Sequence, residues 1–109
     1  RAGRAVEVEE FPTIADGTAG GVEPGSVTIS LAGEIAPRSA VVPERDIASA
    51  MVLLARDERL IVEGSAALAV AGLRSCAPRL KGKTVAVILC GRNISYEKFE
   101  QVLTAGKGE

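Results

Sequence analysis

Three short stretches of the sequence carry side chains that can take part in chemistry. Cys90 and Gly91 directly follow an apolar run, "VAVIL". Glu63 directly precedes an alanine-rich run, "GSAALAVAGL", and Asp16 and Gly17 lie in a glycine-rich stretch, "ADGTAGGVEPG". A thiol is a nucleophile or a weak hydrogen-bond partner, a carboxylate is an acceptor or a base, and a glycine lets the backbone approach a ligand closely.

The Cys90 thiol has two interpretations that the residues leave open. A thiol nucleophile requires a base or a cation that lowers its pKa, but the chain has no histidine, and Arg92 lies two residues away in a turn, where side chains need not meet. A hydrogen-bond partner for a heteroatom therefore fits better than a nucleophile. The alternative is a small buried hydrophobe that ends a strand.

Glu63 and the Asp16-Gly17 pair also have ordinary structural interpretations. A glutamate before a helix complements the positive end of the helix dipole. An Asp-Gly pair is typical of a turn in which the aspartate bonds its own backbone. Three cations are interpreted as solvated surface side chains: Arg45, Arg92 and Lys98. Each stretch taken alone is a weak indication of a site.

Four segments have patterns that are typical of β-strands. Residues 5–10 alternate apolar and acidic side chains, residues 39–42 are a short apolar run, and residues 84–89 are almost entirely apolar. Residues 26–35 alternate as well, but the same residues can also form a helix. The glycine-rich residues 15–25 predict a loop.

Three segments are predicted to be helical. Pro43 and Glu44 favour a helix start, and the apolar residues that follow share one face at helical spacing: Ile47, Ala50, Met51 and Leu54. Residues 60–73 include a run that is apolar almost all round, which predicts a buried helix. Ser95 is a suitable N-cap for a last helix whose apolar side carries Phe99, Val102 and Leu103.

The alternation of strands and helices predicts an α/β fold with a parallel sheet, because the last strand is apolar on both faces. Ligands of such sheets bind beyond the carboxyl ends of the strands. The Cys90-Gly91 corner lies at such an end. We therefore expect it to form a site together with Glu63 and the loop 15–25.

Composition narrows the class of protein. The 109 residues suffice for one domain, and 13 basic against 14 acidic residues suggest neither nucleic acid nor an anionic membrane as a partner. No apolar run is long enough to span a bilayer. Two cysteines without metal-ligand spacing make a zinc site improbable. They predict free thiols and a cytoplasmic location, a disulfide between Cys76 and Cys90 being the alternative.

Three motifs in order resemble one enzyme family. "TIADGTAGGVEPG", "LIVEGSAALAVAGL" and "KGKTVAVILCGRNIS" are similar to the C-terminal part of the fold type II pyridoxal-phosphate enzymes, in particular the threonine/serine dehydratases and serine racemases. The resemblance spans residues 5–96. It implies that the chain is part of the large, mostly parallel-sheet domain of such an enzyme, a three-layer αβα arrangement.

The resemblance also implies roles for individual residues. Cys90 holds the place of a Ser, Thr or Cys that faces the pyridine nitrogen of the cofactor, and Gly91 leaves room for the ring. Glu63 would lie near the ring. Gly17 would contribute to the cofactor site, and Asp16 would lie on the substrate side. In place of the family's usual Gly-Gly-Asn the chain has Gly91, an arginine and an asparagine.

Other family motifs are missing from the chain. It contains no Ser-x-Lys-x-Arg-Gly-like motif with the Schiff-base lysine, no glycine-rich phosphate loop and no upstream metal ligands. These lie N-terminally in the family, and the chain begins at Arg1 without a methionine. We therefore expect a fragment without a catalytic residue of its own, in which residues 1–104 belong to the catalytic domain and residues 105–109 are a frayed tail.

The expected function follows from the resemblance. The parent enzyme would deaminate threonine or serine by β-elimination to a 2-oxo acid and ammonia, with pyridoxal phosphate bound mainly by the N-terminal part. Its partners would be a small amino-acid substrate, that N-terminal part and further copies of the enzyme, and the fragment alone would be inactive. The alternatives are an amino-acid racemase of the same fold and a non-enzymatic α/β binding module.

Overall fold

The computed structural model describes residues 4–35 and 38–105, and its regular elements are helical. The α-helices are α1 (Val27–Ile35), α2 (Glu44–Glu58), α3 (Gly64–Cys76) and α4 (Tyr96–Ala105). Two 3₁₀ turns, Asp16–Thr18 and Ala77–Leu80, precede α1 and follow α3. The core lies where α2, α3 and α4 meet.

Helix α2 confirms the helix predicted after Pro43, which is its N-cap. Its four buried residues are the ones that the helical spacing assigns to one face: Ile47, Ala50, Met51 and Leu54. Arg59 ends the helix in the left-handed conformation, and the Leu60 N–H donates to the Leu54 carbonyl at 3.0 Å. This bond satisfies a carbonyl that the end of the helix leaves unpaired.

Helix α3 packs against α2 through small side chains. Ala50 on α2 and Ala66 and Ala67 on α3 are fully buried, so the two backbones approach closely. The prediction of a helix that is buried all round is wrong in part, because Ala69 is exposed on the opposite side. The N-terminus of α3 lies beside residues 14–17.

Helix α4 confirms the last predicted helix, with Phe99 and Val102 buried. The Ser95 hydroxyl accepts the Lys98 N–H at 3.2 Å, which is the capping bond that the sequence predicts. Ala105 belongs to this helix, whereas the rest of the predicted tail, residues 106–109, lies outside the described residues, as do residues 1–3.

The predicted parallel sheet is not confirmed. None of the described residues forms a strand, and the segments 5–10, 39–42 and 84–89 have no regular secondary structure. Strand pairing requires a neighbouring strand on the sheet. Instead, side chains that a sheet would bury are open to solvent: Val41 is 98% exposed and Ile88 is 77% exposed.

Residues 26–35 resolve an ambiguity of the sequence. Val27–Ile35 is a helix, and none of its residues is buried. Val27, Leu31 and Ile35 recur at a spacing of four and are exposed, so they lie along one side of α1. The alternation that suggests a strand is therefore also compatible with an apolar stripe on a helix.

Candidate functional site

Glu63 is the centre of the candidate site. It is the N-cap of α3 and is partly buried. Its backbone N–H donates to the Gly91 carbonyl at 3.2 Å, and its Oε2 accepts the Asn93 N–H at 2.9 Å. The backbone and the side chain of Glu63 thus both hold residues 91–93 against the start of α3.

The position of Glu63 requires a glycine at residue 91. A Cβ built on Gly91 would overlap the Glu63 carboxylate and would lie 2.9 Å from its Cγ. Contacts of that kind are essentially never made by real side chains. The absence of a side chain at Gly91 therefore makes room for Glu63 within the protein.

Gly17 also lies close to the Glu63 carboxylate. A Cβ on Gly17 would lie 2.8 Å from Ser65 Oγ and 3.3 Å from Glu63 Oε1. Three of the predicted site residues, from separate segments of the chain, are therefore brought together: Gly17, Glu63 and Gly91.

The start of α3 adds two residues that the sequence did not single out. Gly64 lies so close to the Ile14 carbonyl that a Cβ would overlap it. The Ser65 hydroxyl oxygen is buried and has no hydrogen-bond partner within the described parts of the chain. An unsatisfied buried hydroxyl is costly and is suited to bind a polar atom of a ligand.

Asp16 is bound by a lysine from the other end of the chain. The Lys98 ammonium, on α4, donates to Asp16 Oδ2 at 2.5 Å. This hydrogen bond and the positive charge of Lys98 lower the pKa of Asp16 below its ordinary value. Asp16 is therefore ionised at neutral pH, and its charge is partly neutralised by Lys98.

Cys90 stands apart from these contacts. Its side chain is exposed, and both it and Cys76 are free thiols. The interpretation of Cys90 as a small buried hydrophobe is therefore wrong, because the thiol is accessible at the corner that leads into Gly91. That it faces a cofactor ring stays a prediction.

The sequence interpretation does not single out four residues of the site: Gly64, Ser65, Asn93 and Lys98. Asn93 contributes only its backbone N–H to the site, so the identity of its side chain does not indicate that it belongs there. Ser65 is inconspicuous among alanines. The sequence predicts Lys98 to be a solvated surface side chain, because its contact with Asp16 joins residues 82 positions apart.

Replacing Gly91 with alanine is expected to displace the Glu63 carboxylate and break its bond to Asn93. Because the atoms that a Cβ would meet belong to a flexible side chain, the free energy of unfolding should fall by only about 1–2 kcal/mol, while the Asn93 amide loses protection from hydrogen exchange. Gly21→Ala is the matched control, since nothing lies within 4 Å of a Cβ there. An Asn93 amide that exchanges as slowly in Gly91→Ala would contradict the described packing.

Acidification is expected to weaken the contact between Asp16 and Lys98. Because the folded-state pKa of Asp16 is lower than its unfolded value, the ion pair stabilises the folded chain fully above about pH 4. That contribution is lost as the pH falls through the folded value. An NMR titration of the Asp16 carboxyl group measures this. In Lys98→Met the midpoint should move up towards an ordinary aspartate, and an unchanged midpoint would rule out the contact.

Comparisons with known proteins agree with the family that the motifs resemble. Residues 1–91 match the family described as "Pyridoxal-phosphate dependent enzyme". The chain is 34% identical over 106 residues to an L-threonine ammonia-lyase of Thermotoga maritima, covering 97% of this chain and 26% of that protein. It is 35% identical over 105 residues to an L-threonine ammonia-lyase of Geobacter sulfurreducens, with 95% and 26% covered.

A serine racemase of Schizosaccharomyces pombe is also similar, at 27% identity over 104 residues, with 95% of this chain and 32% of that protein covered. The chain thus spans about a quarter to a third of the length of these relatives. No solved structure matches it. Among residues 4–35 and 38–105, no helix is both long and apolar enough to cross a membrane.

Proposed function

Because the chain belongs to the pyridoxal-phosphate dependent enzymes, a family matched by residues 1–91, we propose that it forms part of a lyase acting on a hydroxy amino acid. The lyase eliminates water from threonine or serine, and water then hydrolyses the resulting enamine, so that the net products are ammonia and 2-oxobutanoate from threonine or ammonia and pyruvate from serine. The observation that carries this proposal is the convergence of Gly17, Glu63 and Gly91 at the start of α3. The names of two relatives, both L-threonine ammonia-lyases, support the reaction type.

The residues of the site fit pyridoxal phosphate. Cys90 offers an accessible neutral donor, and the Ser65 hydroxyl is a buried polar atom that lacks a partner among the described residues. In this proposal Cys90 faces the pyridine nitrogen, and Gly91 and Glu63 lie against the ring. The cofactor, when bound, makes the α-proton of the amino acid acidic by withdrawing electrons.

The thiol suits an elimination because it is neutral. A carboxylate beside the pyridine nitrogen would hold that nitrogen protonated and strengthen electron withdrawal, whereas a thiol is only a weak hydrogen-bond donor. With weaker withdrawal, removal of the α-proton is coupled to loss of the β-hydroxyl group. Cys90 therefore favours elimination over reprotonation.

The other residues position the site. Glu63 fixes the backbone of residues 91–93 through its two hydrogen bonds, so that Cys90 has a defined place beside α3. Gly17 allows its turn to approach Ser65. In this proposal Asp16 lies on the substrate side of the site.

We further propose that this chain does not catalyse the reaction alone. It contains no Ser-x-Lys motif, and it spans about a quarter of the two ammonia-lyase relatives. The remainder of the enzyme supplies the lysine and the phosphate site. It also supplies strands that pair with the exposed segments 39–42 and 84–89, which would bury Val41 and Ile88 in a parallel sheet.

Racemisation of serine is the second candidate function. The similarity to a serine racemase favours it. The two reactions differ in whether the β-hydroxyl group leaves, so their products separate them: a 2-oxo acid and ammonia for the lyase, and the D-amino acid for the racemase.

The test is to incubate the complete enzyme and the 109-residue chain separately with pyridoxal phosphate and L-threonine or L-serine. We expect the enzyme to release ammonia and 2-oxo acid, and the chain alone to release neither. Pyridoxal phosphate fixed stoichiometrically to one defined lysine of the isolated chain after borohydride reduction, seen by mass spectrometry, would contradict the proposal that the remainder of the enzyme supplies the lysine. A complete enzyme that neither binds the cofactor nor converts amino acids would indicate a non-enzymatic module.

A further inference from the structure

Residues 13–19, here called the strap, cross the start of α2 and α3. At the first end, Glu44 of α2 holds the strap with both carboxylate oxygens. Oε1 accepts the Thr13 hydroxyl at 2.6 Å, and Oε2 accepts the Ile14 N–H at 2.8 Å. The entry of the strap is therefore tied to the first residue of α2.

The middle of the strap packs against the start of α3. Ala15 is only 2% exposed, and the Ile14 carbonyl lies against Gly64. Gly17 lies against Ser65. Any rotation of the 3₁₀ turn Asp16–Thr18 therefore changes the surroundings of Ser65 and Glu63 directly.

The far side of the strap is held from α4 by the ion pair between Lys98 and Asp16. Both side chains are more than half exposed, 62% for Lys98 and 55% for Asp16. Exposed ion pairs contribute little to the free energy of unfolding. This contact therefore affects the orientation of the turn and the charge beside the site more than the stability of the fold.

We propose that Lys98 is a positioning residue that sets the substrate side of the site through Asp16. Its ammonium orients the 3₁₀ turn that carries Gly17, and it neutralises a carboxylate that would otherwise repel the carboxylate of an amino-acid substrate. The placement of Asp16 on the substrate side rests on the proposed function. The contact itself and its effect on the strap do not.

Hydrogen exchange in the complete enzyme tests the positioning. The Thr18 N–H donates to the Ala15 carbonyl at 2.9 Å, and the Ala19 N–H donates to the Asp16 carbonyl at 3.1 Å. In Lys98→Met both amides should exchange about fivefold faster or more, while the core amides of α2 keep their rates. Lys98→Arg should retain most of the protection, and Lys81→Met, an exposed lysine outside the strap, should retain all of it.

A charge swap keeps the test decisive if Lys98→Met does not fold. Asp16→Lys and Lys98→Asp should each increase exchange at Thr18 and Ala19, and the double variant should restore protection. Unchanged exchange in both single variants, or no recovery in the double variant, would overturn the proposal.

Kinetics of the complete enzyme separate this inference from the proposed function. Lys98→Met should raise KM for the amino acid about threefold to tenfold, because it leaves a like charge beside the substrate carboxylate, and should change kcat less than about twofold. Altered exchange with an unaltered KM would place Asp16 away from the substrate and so overturn the substrate-side role, while lyase activity itself would still support the proposed function. Faster amide exchange at Thr18 and Ala19, without lyase activity in the unsubstituted enzyme or in any variant, would contradict the proposed function but would still support the contact between Lys98 and the strap.

Discussion

Gly64→Ala is expected to lower the free energy of unfolding of the chain by about 3 kcal/mol, the upper end of what overpacking usually costs. The added Cβ would overlap the carbonyl of Ile14. Because the obstacle is backbone, no rotamer change relieves it, and the strap must move away from α3. Gly64 is also buried, so solvent offers no alternative position for the new methyl group.

Thermal or urea unfolding measures this loss, which corresponds to a fall in Tm of about 15 °C for a chain of this size. Gly72→Ala is the matched control in the same helix. A Cβ there would make an ordinary contact, 3.8 Å from Val42 Cγ2, and alanine is the better helix former by about 0.5–1 kcal/mol. If Gly64→Ala and Gly72→Ala were equally stable, residues 14–15 would not pack against α3.

Cys90→Asp is expected to reduce elimination by the complete enzyme at least about tenfold. A carboxylate beside the pyridine nitrogen raises the pKa of that nitrogen by about 1–3 units, and each unit corresponds to a tenfold change in protonation equilibrium. With the nitrogen protonated, the bound cofactor would withdraw electrons more strongly, and α-proton loss would no longer be coupled to departure of the hydroxyl group. The rate of racemisation should rise relative to elimination.

Because Cys90 is exposed, the substitution should change the free energy of unfolding by less than about 0.5 kcal/mol, and lost activity is then not lost folding. Cys90→Ser is the matched control, since a neutral hydroxyl preserves the electronic environment and should keep activity within a few-fold. The ratio of 2-oxo acid to D-amino acid produced from L-serine is the measurement. An unchanged ratio in Cys90→Asp would mean that residue 90 does not face the ring.

Local sequence patterns determined the helices of the core. Apolar residues at helical spacing identified the buried face of α2, and Ser95 identified the start of α4. These features depend on residues within one or two turns of each other, so the chain encodes them without reference to distant partners. The residue types at 16–17, 63 and 90–91 likewise indicate a site without reference to any tertiary contact.

The tertiary structure decided which distant residues meet. The bond of Glu63 to Asn93 joins residues 30 apart, and the ion pair of Asp16 with Lys98 joins residues 82 apart. The spacing of apolar residues along the sequence does not predict contacts between residues so far apart. The same reason explains the segments 5–10, 39–42 and 84–89: an apolar or alternating run favours a strand, but a strand exists only where another strand pairs with it, and the described residues provide none.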